Sequence, residues 1–392
     1  MGNNQRPLTD GAVEEEKKTS FIQFPTTPSP LHPDCNLTDQ SCNMSLYSDP
    51  ACEPCGFCHY DHHTVVVIGY LATSVIIFGL VANSLNARIF THHFMRNSLL
   101  NWYYAALSMS DLVVLSISFF RDCLPRLSDH ARLYGVYSAM SASTPVTQTI
   151  GCSAQTISVF LTVAMSAHRF VGVCFPFKAN RICSKTNTRI FIGSVIVFAI
   201  LFNIPRAFEV QTKVFECDTD NITEPVATEF RQNQYYMNYY LGYAYTCVMY
   251  AVPFSLLISL NIKVLLAIRT TANLHRRMSF KENNSNKRKE VSKEISTSVM
   301  LIGVVIVFLV CNTPAFMANM MEVLQLVGKG NLVFSKVVDY NNLLVLVNAS
   351  INCFVYLSFS DKYRALLKHY LSCGCFHDSE PLIDMSAGAA SG

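Results

Sequence analysis

The sequence is short of charged residues, and this shortage restricts what the chain can be. Aspartate, glutamate, lysine and arginine make up 15% of its 392 residues, whereas about one-quarter of an ordinary soluble domain is charged. No basic stripe with interleaved aromatic residues is present, so we expect no nucleic-acid partner. No nucleophile–base pattern or phosphate-binding loop stands out either, so we expect neither enzymatic activity nor an organic cofactor.

A cleavable signal peptide is also not evident, because residues 1–20 are polar and mix acidic with basic side chains. Apolar residues, in contrast, are abundant and make up 51% of the chain. An α-helix crosses the hydrocarbon core of a bilayer in roughly 20 residues. Runs of that kind lie near 65–90, 98–124, 146–174, 188–208, 236–268, 295–325 and 335–358. We expect the first of these seven spans to direct membrane insertion.

These spans predict the fold class. Lipid cannot pair with backbone N–H and C=O groups, so each span should be a helix and not an open strand. The sequence therefore predicts an all-α membrane protein, a seven-transmembrane helix bundle whose two ends lie on opposite sides of the bilayer. The segment 360–371 places Tyr363, Leu366, Leu367 and Tyr370 on one helical face and basic residues on the other. This pattern predicts a short amphipathic eighth helix on the inner leaflet.

The distribution of lysine and arginine predicts the orientation. The loop after the third span and the segment after the fifth are both rich in these residues, and such loops face the cytosol. We therefore expect a multi-pass protein of the plasma membrane, with an extracellular N-terminal tail (1–64), a seven-span domain (65–358) and a cytoplasmic part (359–392). Cys373 and Cys375 in the last part are predicted palmitoylation sites, although two unmodified thiols fit equally well.

The segments predicted to be extracellular carry signs of secretory processing. Three positions match the Asn-X-Ser/Thr glycosylation pattern, namely Asn36, Asn43 and Asn221. The tail also contains five cysteines, and Cys123 and Cys217 are expected on the same side of the membrane. In an oxidising space disulfides are a more common use of cysteine than metal sites, so we predict disulfides here.

Several spans carry a polar residue among apolar neighbours. Asparagine and serine in such positions often only join helices by hydrogen bonds, and Ser158 alone fits that role equally well. Asp111 in the second span differs, because an ionisable group inside a span indicates a functional site. Together with oxygen-bearing neighbours it predicts a site for a small cation.

Short patterns in these spans, in the right order and spacing, resemble the rhodopsin-like (class A) family of G-protein-coupled receptors over residues 65–375. Asn83 and Asp111 lie in patterns of the first and second spans, and Arg169 stands at the Asp-Arg-Tyr position. Pro314 follows the cysteine of a Cys-x-x-Pro pattern, and Tyr356 closes a pattern that resembles Asn-Pro-x-x-Tyr.

The resemblance implies a mechanism and its residues. A ligand bound on the extracellular side would favour a state in which the cytosolic end of the sixth helix has moved away from the bundle. The implied partners are a heterotrimeric G protein and arrestin. The residues implied for the switch and for G-protein coupling are His168, Arg169, Phe170, Glu294, Asn352 and Tyr356. Those implied around an allosteric sodium ion are Asn83, Asp111, Ser158, Asn348 and Asn352.

Two departures from the family pattern concern the ends of the third span. His168 replaces the acid beside the arginine, so Arg169 lacks its usual local partner. We predict that Glu294 pairs with Arg169 in the inactive state, although a solvated glutamate at a helix start fits equally well. Thr144 stands where the family carries an outer cysteine, so Cys217 cannot form the standard bridge, and Cys123 or a tail cysteine is the replacement candidate.

The ligand class follows from further positions. Gly151 stands where amine receptors carry an aspartate, and Leu346 where opsins carry a lysine, which argues against an amine or retinal. The patterns around Gln155 and Arg206 are similar to invertebrate FMRFamide and myosuppressin-like neuropeptide receptors. That resemblance implies a peptide with an amidated Arg-Phe end. Another peptide, a chemosensory ligand or a transporter or channel is the alternative, and transporters often show repeats or broken helices that this sequence does not.

An Arg-Phe-amide peptide requires an acid for its guanidinium and an aromatic pocket for its ring. Glu322 and Asp339, at the outer ends of the sixth and seventh spans, are candidates for the acid. Tyrosines crowd the start of the fifth span, although aromatic belts occur at membrane interfaces whatever the ligand. The predicted ligand contacts are Glu322, Asp339, Gln148, Gln155, Tyr239 and Tyr243.

Overall fold

The described part of the chain is dominated by seven long helices. The computed structural model describes residues 59–216, 221–278, 285–324 and 332–372. Seven of its helices are long and apolar enough to cross a membrane: α1 His62–Thr91, α2 Leu99–His130, α3 Tyr134–Cys174, α4 Lys185–Phe208, α5 Tyr236–Thr270, α6 Ile295–Met321 and α7 Val333–Phe359. The predicted seven-helix membrane bundle is confirmed. Helical backbone continues to Met278 after α5 and begins at Ser285 before α6.

The third helix is longer than its apolar run. It begins at Tyr134, well before position 146, and contains Pro145. Residues 134–145 are rich in serine and small side chains, so they do not extend a hydrophobic span. Because an α-helix satisfies its own backbone groups, α3 can continue past the apolar region. This extra length gives α3 a surface against which the loop after α4 packs.

That loop forms a β-hairpin, which the all-α prediction did not include. Strands β1 Val210–Glu216 and β2 Asn221–Ala227 pair antiparallel, with Val210 opposite Ala227 and Glu216 opposite Asn221. Ile222 is buried beside Tyr137 of α3. The backbone N–H of Thr223 donates a hydrogen bond of 3.0 Å to Ser138 Oγ on α3. We call this end of the bundle the hairpin end.

The residues just before α1 pack against the same end. His59 Nδ1 lies 2.7 Å from Asp129 Oδ1, and the Tyr60 N–H donates to Asp129 Oδ2 at 3.0 Å. The Arg126 guanidinium lies 4.8 Å from the centre of the Tyr60 ring, which also makes an edge contact with Tyr137. We call this group the clasp. Cys123, the proposed partner of Cys217, is buried and forms no disulfide within the described residues, which exclude Cys217 and the tail cysteines.

The opposite end is closed by aromatic packing under a last helix, α8 Asp361–Ser372. Tyr363 is almost fully buried, and its hydroxyl donates to Asn86 Oδ1 of α1 at 2.5 Å. The rings of Phe90 and Tyr356 contact its ring, and the ring of Tyr104 packs against both of them. A helix thus occupies the segment predicted for the eighth one, and its position on the inner leaflet stays a prediction. Cys373 and Cys375 lie outside the described residues.

Helix α1 approaches α2 and α7 closely at Gly79. A methyl group added there would lie 2.7 Å from Leu115 Cδ1 and 2.8 Å from Ser350 Cβ. We expect Gly79→Ala to lower the free energy of unfolding by about 1–3 kcal/mol, because the helices must separate. Gly193→Ala in α4 is the matched control, since nothing packs within 4 Å of the added methyl and alanine favours helix. Equal unfolding midpoints of the two purified variants in detergent would contradict the close approach.

A half-buried acid in the hairpin, Glu224, makes the stability of the protein depend on pH. Burial is the largest cause of the rise in the pKa of Glu224 from 4.5 to about 7; Lys213 on the paired strand lowers the pKa, and nearby Asp129 raises it. Folding therefore favours the neutral acid, and this contribution to stability is complete below pH 4.5 and lost as the pH rises through 7. Glu224→Gln should flatten the fall in unfolding midpoint across that range. Glu216→Gln, on the exposed end of the same hairpin, should leave it unchanged, and matching profiles for both variants would refute the assignment.

Candidate functional site

Two cavities lie inside the bundle towards the hairpin end. The first is between α1, α2, α3 and α7, and its lining includes Arg121, Asp122, Gly151, Cys152, Gln155 and Leu346. The second is between α5, α6 and α7, and its lining includes Tyr245, Tyr250, Asn319 and Asn341. Asn342 and Val345 of α7 contact both cavities. The two cavities therefore share one wall and form a natural binding region.

Of the two glutamines predicted to contact the ligand, Gln155 lines the first cavity and Gln148 does not. Gln148 is 1% exposed, and its Oε1 accepts a hydrogen bond of 3.0 Å from the Arg121 guanidinium. The same guanidinium donates to both carboxylate oxygens of Asp122, at 2.9 and 2.6 Å. This paired arrangement suits a buried charge, because each ion has hydrogen-bonded compensation. The sequence analysis did not single out Arg121 or Asp122.

A second charged group, Arg206, Glu209 and Arg231, lies at the base of the hairpin, and we call it the triad. Glu209 Oε2 accepts from Arg231 at 2.8 Å and from Arg206 at 3.4 Å. Its Oε1 accepts from the Tyr236 hydroxyl at 2.6 Å. All three charged residues are at most 3% exposed. Strand pairing brings them together, because Glu209 precedes β1 and Arg231 follows β2, with the Thr228 N–H donating to the Glu209 carbonyl at 3.0 Å.

The predicted acid on α7, Asp339, already has partners. It is 3% exposed, and its Oδ2 accepts a hydrogen bond of 2.8 Å from the Thr64 hydroxyl of α1. His63 Nδ1 lies 3.6 Å from the same oxygen. Asp339 therefore joins α1 to α7 in this structure. The side chain of Glu322, the other predicted acid, lies outside the part of the chain described here.

The tyrosines of α5 divide between two faces. Tyr239 and Tyr243, predicted as ligand contacts, are 64% and 59% exposed and line neither cavity. Tyr236 and Tyr240 lie on another face, stacked with ring centres 5.0 Å apart. Tyr240 donates its hydroxyl to the Phe202 carbonyl at 2.5 Å. The structure thus turns the inner face of α5 to the triad, while Tyr239 and Tyr243 face the surroundings of the bundle.

Deeper in the bundle, three of the five predicted sodium-site residues meet. Asp111 is 1% exposed; its Oδ1 accepts from Ser158 Oγ at 2.8 Å and its Oδ2 from Asn352 Nδ2 at 3.1 Å. No basic side chain of the described residues forms an ion pair with Asp111. Asn83 instead donates to the Ala349 carbonyl at 2.8 Å. Asn348 is half-buried and its amide makes no hydrogen bond within the described ranges.

The break in α7 explains how Asn352 reaches Asp111. Regular helix ends at Ser350, Ile351 is a turn residue, and a new helical segment begins at Asn352. The family pattern has a proline after this asparagine, but Cys353 stands there. The local departure from helix geometry is therefore present without the proline.

At the end of the bundle opposite the hairpin, Arg169 is half-buried near the end of α3. His168 packs beside Tyr103, with ring centres 5.6 Å apart, and Phe170 lies under the Lys263 ammonium at 5.6 Å. One turn before the arginine, Ser166 Oγ accepts from Asn261 Nδ2 of α5 at 3.0 Å. The side chain of Glu294 lies outside the described residues, so its pairing with Arg169 stays a prediction.

Comparison with known proteins agrees with this architecture. The chain is 28% identical over 304 residues to the FMRFamide receptor of Drosophila melanogaster, a match that covers 76% of this chain and 53% of that protein. It is 27% identical over 369 residues to the probable G-protein coupled receptor frpr-1 of Caenorhabditis elegans, covering 84% and 90%. It is 29% identical over 306 residues to the FMRFamide peptide receptor frpr-18 of the same organism, covering 77% and 68%.

The family model of the 7 transmembrane receptor (rhodopsin family) matches residues 83–356. That range runs from Asn83 in α1 to Tyr356 in α7, and it includes Asp111 and Arg169. Because the family model matches the chain from α1 to α7, and because the structure has seven helices long enough to cross a membrane, the chain belongs to the rhodopsin family of seven-transmembrane receptors.

Proposed function

We propose that this chain is a neuropeptide receptor of the plasma membrane, activated by an FMRFamide-like peptide and coupled to a heterotrimeric G protein. The observation that carries the proposal is its similarity to FMRFamide receptors of a fly and a worm across about three-quarters of its length. The two neighbouring cavities are consistent with a peptide end inserting from the hairpin end. The match spans only 53% of the length of the fly protein, so the ligand and partners of this chain are proposals.

The orientation is part of the proposal. The loop between α3 and α4 carries Lys178 and Arg181, α4 begins with Lys185, and basic segments of this kind lie in the cytosol. The hairpin end, with both cavities, would then face the extracellular space. Asn221 is exposed on β2 of the hairpin, as a glycosylated residue must be. The tail sites Asn36 and Asn43 lie outside the described residues.

Ligand binding would act by shifting the equilibrium between two conformational states of the receptor. A peptide that binds one state better shifts the equilibrium towards that state. We infer that an arginine of the ligand competes with His63 and Thr64 for Asp339, which loosens the contact of α1 with α7. At the other end, outward movement of α6 would open a site beside Arg169 for the G protein, and arrestin would bind the same region.

A sodium ion at Asp111 would oppose this shift. The site fits a small hard cation, because a buried carboxylate without a basic partner lies beside the Ser158 hydroxyl oxygen. Asp111 and Ser158 would hold the ion, and Asn352 would reorient its amide. The ion would supply the positive charge that the described neighbours of Asp111 lack.

The ligand is tested with cells that express the full chain and receive a library of amidated peptides. We expect a calcium or cAMP response to peptides that end in Arg-Phe-amide, and Arg169→Gln should abolish it while peptide binding persists. Arg181→Gln, which removes an exposed charge from the next loop, is the matched control. Silence to every Arg-Phe-amide peptide with a response to another peptide would contradict the ligand assignment. That result would favour a relationship nearer to the fly sex peptide receptor, which is 25% identical over 54% of this chain.

The sodium site is tested by agonist binding in sodium and in potassium buffers of equal ionic strength. Sodium should weaken agonist binding to the unmodified receptor, and Asp111→Asn should remove that difference because the carboxylate ligand is lost. Ser108→Ala is the control, since Ser108 bonds within its own helix to the Tyr104 carbonyl at 3.0 Å. An unchanged sodium effect in Asp111→Asn would rule out the site.

A further inference from the structure

Arg206 is the most deeply buried arginine among the described residues, and it is incompletely compensated. It is 1% exposed, and its only hydrogen bond to an acid among the described residues is the long one of 3.4 Å to Glu209. Its Nε–H has no acceptor in the described ranges. The guanidinium lies 4.5 Å from the centre of the Tyr245 ring. The face of an aromatic ring attracts a cation, but it does not replace a hydrogen-bond acceptor in the plane of the guanidinium. Arg206 therefore retains unused donor capacity.

Glu209 leaves these donors of Arg206 unsatisfied. Its two oxygens already accept from Arg231 at 2.8 Å and Tyr236 at 2.6 Å, both shorter than the contact with Arg206. The triad thus contains two guanidinium groups and one carboxylate. The neighbouring Arg121 adds repulsion, because it is close enough to interact unfavourably with Arg206. A buried guanidinium such as that of Arg206, with an N–H group that has no acceptor among the described residues, favours any anion that can reach it.

The groups between the triad and the cavities are hydrogen-bond donors. Gln148 Nε2 and the Tyr245 hydroxyl are both buried and lack hydrogen-bond partners among the described residues. Tyr245 lines the second cavity, and Cys152 of α3 lines the first. A negatively charged group entering between α3 and α5 would therefore meet donors that have no other acceptor.

We propose that the triad, with Arg206 at its centre, is a subsite for an acidic side chain of the peptide ligand. This inference rests on the proposed peptide-receptor function and adds a second recognition element to it. An amidated peptide has no terminal carboxylate, so the acid must be an aspartate or glutamate upstream of the Arg-Phe end. The binding region is then electrostatically two-sided, with Asp339 on α7 for the ligand arginine and the triad at the base of the hairpin for the ligand acid.

The experiment measures binding to the purified full chain by the shift of its thermal unfolding midpoint. The probes are pairs of amidated heptapeptides that end in Arg-Phe-amide and carry either one aspartate or one asparagine at each upstream position in turn. A second set has glutamine in place of the arginine. At one position at least, we expect the aspartate peptide to bind tenfold or more tightly than its asparagine counterpart, because close charge pairs across an interface couple strongly.

Arg206→Gln should reduce this aspartate preference to about one. Lys213→Gln, which removes an equal charge from the exposed face of β1, should preserve it. Arg231→Gln provides the same comparison if Arg206→Gln does not fold, because it removes the other cation bound to Glu209. Lack of any aspartate preference in the unmodified receptor, or a preference that persists in the arginine variants, would overturn the proposal.

Two further outcomes separate the sources of the effect. Stabilisation by chloride relative to gluconate, lost in Arg206→Gln and without any aspartate preference, would assign the triad to a free anion and overturn the peptide subsite. An aspartate preference in both peptide sets, with no signalling by any Arg-Phe-amide peptide, would support the subsite while the proposed function fails.

Discussion

A charged group inside a bundle of membrane helices must be compensated inside the bundle, because neither lipid nor bulk water can solvate it there. The positions of the charged residues in this protein follow from that constraint. Arg121 is satisfied locally by Asp122, and Asp339 by the first turn of α1. Asp111 has only neutral donors, and Arg206 shares a single carboxylate with Arg231. Asp111 and Arg206 are thus incompletely compensated within the described residues, and at each of them an ion or a ligand group would be favourable.

The hairpin end shows how a loop is held in place without the family's usual disulfide to α3. Ile222 packs on Tyr137, the Thr223 N–H bonds to Ser138, and the clasp holds Tyr60 against the same helix. These contacts depend on the extra length of α3, since Tyr137 and Ser138 lie in its first turns. Noncovalent contacts of this kind can open locally at a cost far below that of breaking a covalent bond.

The sequence was sufficient for the seven helices, because length and hydropathy alone determine whether a helix can span a bilayer. It also predicted the meeting of Asp111, Ser158 and Asn352, because the family pattern ties each of them to one depth in the bundle. The triad could not be predicted, since Glu209 and Arg231 become neighbours only when β1 pairs with β2. Tyr239 and Tyr243, which were predicted as ligand contacts, line neither cavity. Which face of α5 points inward depends on its packing against the rest of the bundle and not on its own sequence, and the contact of these two residues with a ligand stays a prediction.

Hydrogen bonds from side chains to backbone join α1 and α7 over several turns. Asn83 donates to the Ala349 carbonyl at 2.8 Å, and Ser350 donates to the Val75 carbonyl at 3.2 Å. With the close approach at Gly79, these bonds fix α1 against α7 below the contact of Asp339 with Thr64. Loosening that contact would therefore separate the two helices only at the hairpin end, and their packing farther along the bundle would be preserved.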